Sequence, residues 1–204
     1  MKGKIIPVSF FTRPDVAIIA KELLGKCLAT NFDGNLTVLR IVESEAYNGA
    51  IDKASHAFSN RRTNRTKVMY EKGGVAYVYL CYGLHQMFNI VTNIENIPQA
   101  ILIRGGEPVS GINIMALRAN KEATDTSIGR GPGNVCKALG IHTGHSGVSV
   151  NSEEIFFYDD DVKIKNKDIG ISPRIGVDYS GDDALLPYRF YMKGNAHVSG
   201  KWRK

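Results

Sequence analysis

The stretch CLATNFDGNLTVLRIVESEAYNG, residues 27–49, decides the fold. Two apolar-rich runs, 27–32 and 36–47, flank Asp33-Gly34-Asn35. Asp-Gly between such runs marks a tight hairpin, because the turn that matches strand twist needs positive φ. The second run is long and changes character along its length. Strand side chains alternate faces, so Leu39, Ile41, Glu43, Glu45 and Tyr47 share one parity. That face starts apolar and ends with two carboxylates and an aromatic ring. A carboxylate at a core edge is costly unless it is paired, hydrated or put to use.

The neighbouring segments extend the antiparallel pattern. FFTRPDVAIIAKELLGK (10–26) opens with a helix, with Pro14 at its first position and Gly25 at its end. VAYVYLCY (75–82), MFNIVTN (87–93) and AILIRG (100–105) are strands joined by short turns. SGINIMALRANK (110–121) and GPGNVCKALGI (131–141) are helices. The last third, with GVSV (147–150), EIFFYDD (154–160), VKIK (162–165), PRIGVDY (173–179) and YRFYMKG (188–194), is strand-like and turn-rich. This order gives an α+β fold with a mainly antiparallel sheet, in one domain over residues 1–204. No Gly-rich loop joins a strand to a helix in a dinucleotide or Walker pattern.

The chain has 204 residues, 43% of them hydrophobic, and a net charge of +6. No apolar run reaches the ~18 residues of a membrane span. The N-terminus MKGKIIPVSFFTRPD is too broken by proline, serine and charge for a signal peptide. Cys27, Cys81 and Cys136 are odd in number and widely spaced, which argues for a reducing cytoplasm rather than a disulfide framework. The basic balance suits a polyanionic partner. It concentrates in SNRRTNRTK (59–67), where Arg61, Arg62, Arg65 and Lys67 meet no acid, as on a solvated loop or a phosphate-contacting surface.

Further candidates lie around the long strand. Arg104 ends an apolar strand and is placed to pair with Glu43 or Glu45. Tyr47, Tyr70, Tyr77, Tyr79 and Tyr82 cluster in sequence, and flat side chains beside basic residues are what stacks on nucleobases. Tyr82 falls on a Tyr-Gly turn, free to project as a wedge between base pairs. His56 is the one histidine near this group. His142 and His145, in HTGH, lack the cysteine or acidic partners of a metal site. Three readings fit: an enzyme using Glu45, a glycoside hydrolase using Glu43 and Glu45 as a dyad, and a nucleic-acid-binding module without catalysis.

The blocks VESEAYNG, DKASHAFSNRRTNR, VAYVYLCYG with FNIVT, AILIRGGEP, GPGNVCKALGI, SPRIGVD and PYRFYMKGN resemble, in order and over almost the whole chain, the alkyladenine (3-methyladenine) DNA glycosylases. The resemblance implies a cytoplasmic base-excision repair enzyme, associated with the bacterial nucleoid when bound to DNA. Such an enzyme flips damaged purines (3-methyladenine, 7-methylguanine, hypoxanthine or ethenoadenine) out of double-stranded DNA and hydrolyses their N-glycosidic bond. It implies a curved sheet, no metal and no organic cofactor.

Carried onto this sequence, the resemblance makes Glu45 the base that activates water. Arg104 and the Ile175 carbonyl help to hold that water. Tyr47 and Tyr79 are the walls around the flipped base, with Tyr77 in the same lining. His56 positions the nucleotide, Asn89 crowds the 2-amino group of normal guanine, and Tyr82 fills the gap in the duplex. No lysine stands at the nucleophile position, so a monofunctional enzyme, acting as a monomer, is expected. Gly105-Gly106 departs from the bulkier residues usual in the family and is expected to loosen the loop beside the water site. Glu43 is left with a structural or supporting role.

Overall fold

The computed structural model describes residues 3–200. Nine strands form one sheet: β1 (Lys4–Ile5), β2 (Cys27–Phe32), β3 (Asn35–Tyr47), β4 (Ala76–Cys81), β5 (His85–Thr92), β6 (Gln99–Ser110), β7 (Ile155–Asp159), β8 (Ile169–Ser172) and β9 (Arg189–Met192). The order is β1-β7-β2-β3-β6-β5-β4, and β8 and β9 attach along the second half of β3 through β9. These pairings are antiparallel, which makes the fold α+β as expected. The β2–β3 hairpin turns on Asp33 and Gly34, with φ of 53° and 76°.

Four α-helices accompany the sheet: α1 (Val8–Phe11), α2 (Val16–Glu22), α3 (Ile112–Ala119) and α4 (Pro132–Leu139). The main core joins Ile19 and Leu23 of the α2 segment, Val135, Cys136 and Leu139 of α4, and Leu39, Ile41, Ile90, Ile101 and Ile103 of the sheet. Each such fully buried side chain contributes about 1.5–3 kcal/mol. Pro132 opens α4, and Gly140, at φ 72°, closes it in the left-handed conformation that favours glycine. The start of α2 differs from expectation. Asp15, not Pro14, begins it: its carboxylate accepts the N–H groups of Ala17 and Ile18, both at 2.9 Å.

The last third is less regular than its composition suggested. Residues 147–150 make only an isolated bridge, Ser149 with Val75, and 162–165 form no strand. Ile164 instead packs against Gly25, where a Cβ would come within 2.9 Å of it. Residues 173–179 are not a strand either. The strand is β8, just before them, and Pro173, which has no N–H for a ladder, ends it. The following residues are thereby freed to loop over the sheet.

The decisive feature is a pair of offsetting irregularities between β3 and β6. Ile41 faces Gly106, Glu43 faces Gly105 and Ser44 faces Ile103. Val42 is the extra residue on β3 and Arg104 the extra residue on β6. A bulge of this kind re-aims side chains. Leu39 and Ile41 enter the main core. Beyond the bulge it is Ala46 that does so, and Ser44 reaches the same side to donate to the Ala20 carbonyl at 2.8 Å. Glu43, Glu45 and Tyr47 therefore do not continue the face of Leu39 and Ile41, as strict alternation implied. They point to the opposite side.

Gly105 and Gly106 permit this crowding. A Cβ on Gly105 would lie 2.7 Å from the His197 carbonyl oxygen and 3.1 Å from Glu43 Cβ; one on Gly106 would lie 2.8 Å from Leu39 Cβ. Both are buried within β6. The expectation of a loosened loop is overturned: the glycines allow close packing.

Candidate active site

One row of residues runs across five strands. Tyr77 of β4 faces Asn89 of β5, Asn89 faces Leu102 of β6, Leu102 faces Glu45 of β3, and Glu45 faces Arg189 of β9. Directly paired residues share a sheet face, so strand register alone assembles the floor of a site. Above it lies a cavity of about 690 Å³, within the usual range for ligand sites. Tyr47, His56, Tyr77, Tyr79, Asn89, Arg104 and Ile175 line it, together with Arg61, Arg65 and Tyr82.

Glu45 is fully buried just beneath the cavity, behind Tyr47, Arg104 and Ile175, which line it. Its Oε2 accepts the Tyr47 hydroxyl at 3.0 Å and Arg104 Nη1 at 3.4 Å. Its Oε1 accepts the Ile175 N–H at 2.8 Å and retains a lone pair for a further donor. Ile175 thus contacts Glu45 through its N–H, a contact separate from the hold on water that the resemblance gives its carbonyl. Burial, and then the charge of Glu45, push the Tyr47 phenol well above its ordinary range, so it stays protonated and donates.

Glu43 has a different environment. It is also fully buried, and it accepts Arg189 Nε at 2.7 Å, Arg104 Nε at 3.2 Å, the Ser199 N–H at 2.7 Å and the Ser199 hydroxyl at 3.0 Å. Arg189 is itself fully buried and donates to the Ser199 carbonyl at 2.8 Å. With donors from two guanidiniums and a serine, Glu43 is an ion-pair hub. Burial alone would lower the Arg104 guanidinium, but Glu45 and Glu43 offset it and hold Arg104 above its ordinary value.

Two arginines of this framework escaped sequence reasoning. Arg189, in YRFYM, carries the same signal as Arg104: a charge set among apolar strand residues. Arg174 precedes Ile175 and is buried in a two-pronged ion pair with Asp52, at 2.5 and 2.9 Å, while also donating to the Ala46 carbonyl at 2.9 Å. Its guanidinium carbon lies 4.8 Å from the Tyr47 ring centroid and fixes that wall from one side.

The opposite wall comes from β4 and the 53–67 segment. Tyr79 and His56 meet edge to face at 4.7 Å. His56 Nδ1 lies 2.9 Å from the Tyr77 hydroxyl, and its Nε2 lies 3.3 Å from Arg65 Nη2. A guanidinium only donates, so Nε2 is the acceptor and the neutral ring carries its proton on Nδ1. Burial, then the charges of Arg65 and Arg61, lower His56 from 6.5 to about 4, which keeps it neutral near pH 7. Asn89 donates its amide to the carbonyls of Tyr77 and Met87, at 3.1 and 3.3 Å. That fixes its orientation at the cavity floor.

Tyr82 stands at the tip of the β4–β5 hairpin, 91% exposed and at φ 50°, followed by Gly83 at φ 70°. Holding an aromatic residue in the left-handed region costs about 1 kcal/mol or more, a strain characteristic of functional sites. The four cations of the basic segment are all exposed. Arg61 and Arg65 face the cavity, Arg62 lies over the Tyr70 ring at 4.8 Å, and Lys67 is exposed at the start of the Lys67–Tyr70 turn of 3-10 helix. His142 and His145 close a turn, each Nδ1 accepting a backbone N–H at 3.1 Å. Among the described residues no helix is long and apolar enough to cross a membrane.

Comparison with known proteins agrees with this geometry. The sequence pattern of the methylpurine-DNA glycosylase (MPG) family matches residues 9–196. A protein of Clostridium perfringens is 42% identical over 200 residues, covering 94% of this chain and 97% of its own. One of Methanocella arvoryzae is 42% identical over 195 residues, covering 96% of each. One of Bdellovibrio bacteriovorus is 39% identical over 199 residues, covering 97% of this chain and all of its own. All three carry 3-methyladenine DNA glycosylase as a provisional name. A match across nearly the whole chain establishes that the chain belongs to the methylpurine-DNA glycosylase family of base-excision repair enzymes.

Proposed function

We propose that the protein removes alkylated or deaminated purines, of the 3-methyladenine, 7-methylguanine, hypoxanthine and ethenoadenine classes, from double-stranded DNA, acting as a monomer. The observation that carries this reading is Glu45: fully buried beneath the aromatic cavity and held by three donors, with a lone pair left on Oε1.

The damaged nucleotide swings out of the duplex, at a cost of a few kcal/mol that is smallest for bases already poorly paired. Tyr82 takes its place in the stack, and Arg61, Arg62, Arg65 and Lys67 meet phosphates along the strand. The base enters between Tyr47 and Tyr79, with His56 positioning the nucleotide and Asn89 crowding a 2-amino group. The bond from C1′ to the base nitrogen breaks and its electron pair leaves with the base. Positive charge develops on the sugar beside the carboxylate of Glu45. Water adds to C1′ and gives its proton to Glu45, a step general-base assistance accelerates by about 10²–10⁴-fold. Arg104 and Ile175 keep the carboxylate aimed. Water is the nucleophile throughout, so no amine is joined to the sugar.

The test is chromatography of free base released from duplexes carrying hypoxanthine or N-methylated purine, with a borohydride trap alongside. Release of free base with no trapped protein–DNA adduct is expected. Tight binding without release would favour a non-catalytic DNA-binding protein, and a trapped adduct would rule out the water mechanism.

A further inference from the structure

The two tyrosine walls each carry a cation, and the two cations differ in one respect. Arg174, 4.8 Å from the Tyr47 ring, is neutralised by its two-pronged pair with Asp52. Arg65, 4.7 Å from the Tyr79 ring, is exposed and has no carboxylate within 4.0 Å among the described residues. Its side chain also donates to the neutral His56 ring. Lys53 and Arg61 line the same side of the cavity, and their side-chain cations likewise form no ion pair among those residues. The carboxylates of the site, Glu43 and Glu45, are committed to Arg104 and Arg189 on the floor.

We infer that Arg65 is a specificity-determining residue that biases the cavity toward neutral lesion bases, such as hypoxanthine, and against cationic ones, such as 7-methylguanine. This rests on the glycosylase reading above. A cationic purine seeks the electron-rich face of a tyrosine. At Tyr79 that attraction is already partly spent. If Arg65 sits on the face a base would use, the base must displace it. If it sits on the other, the two cations repel through the ring. Either way the cationic base loses.

A neutral base gains from the same charge. As the C1′–N9 bond breaks, the bonding pair moves onto the departing purine, and Arg65 stabilises that developing negative charge. A cationic base ends neutral when the pair arrives and draws no such benefit. Arg65 also fixes the His56 tautomer by donating to Nε2, so its removal must be separated from a loss of order at His56. Glutamine removes the charge while keeping a donor near His56; lysine keeps the charge but loses the planar fork.

The experiment is single-turnover release at saturating enzyme, from otherwise identical duplexes carrying hypoxanthine or 7-methylguanine, for wild type, Arg65→Gln and Arg65→Lys. Saturation removes differences in DNA affinity, so a role confined to phosphate contact leaves the ratio of the two rates unmoved. The expected result is a rise in the 7-methylguanine to hypoxanthine ratio of about three- to tenfold in Arg65→Gln, and a smaller rise in Arg65→Lys. An unchanged or lowered ratio in Arg65→Gln, with release still measurable, overturns the proposal alone. No release by wild type from either duplex overturns the glycosylase reading and this proposal with it.

Discussion

The two sides of the cavity are built on opposite principles. The floor, from β3, β6 and β9, is closed: Glu43, Glu45 and Arg189 are fully buried, and every carboxylate oxygen has a donor. The 53–67 side is open, with Arg61 and Arg65 exposed, no acid partner for either among the described residues, and a histidine kept neutral by its surroundings. A buried ion-pair network is a poor source of net stability but a strong source of fixed geometry, because removing one partner strands the other. In the proposed reaction the contrast would separate two tasks: chemistry needs one carboxylate aimed at one atom, whereas recognition of several lesions needs charges free to adapt.

The largest expected effect comes from breaking the floor. Arg189→Leu leaves Glu43 buried and short of its nearest cation, and should cost about 3–5 kcal/mol of unfolding free energy in urea titration. The double change with Glu43→Leu should recover part of that loss. A cost below ~1 kcal/mol for the single variant would mean that the network is not a rigid frame. Tyr47→Phe is gentler, since it keeps the ring and removes only the donor to Glu45 Oε2. Single-turnover base release should fall about three- to tenfold with DNA affinity kept; equal losses in both would place the hydroxyl in binding rather than in aiming the carboxylate.

A third effect tests the open side. Unfolded histidine titrates near 6.5, while folded His56 does so at about 4. Between those values the unfolded chain takes a proton that the folded protein refuses. The contribution of His56 is therefore fully present above pH 6.5 and is lost as pH falls toward 4. His56→Gln should flatten that part of the stability curve relative to wild type. Parallel curves would show that the ring is not shielded as described.

Much of this was legible in sequence. Asp33-Gly34 announced the hairpin, the Tyr77/Tyr79 parity placed both rings on one face, and Arg104 after an apolar run announced a partner for the glutamates, although β6 continues past it to Ser110 instead of ending there. Other parts were hidden for physical reasons. The extra residue Val42 reverses the parity of β3, and a single insertion in a ladder leaves no mark in an alternating pattern. The row from Tyr77 to Arg189 depends on register between strands far apart in sequence. Gly105 and Gly106 looked permissive alone, and only the packing of Leu39, Glu43 and His197 shows why nothing larger fits. Segment 173–179 had strand composition, but Pro173 turned it into the loop that brings Ile175 to Glu45.

The most direct test is Glu45→Gln, in which nearly the same shape replaces the carboxylate. Single-turnover release of hypoxanthine from duplex DNA should fall by about 10²–10⁴-fold, while affinity for that duplex stays within about threefold of wild type. Near-normal release by the folded variant would contradict the assignment of Glu45 as the base that activates water.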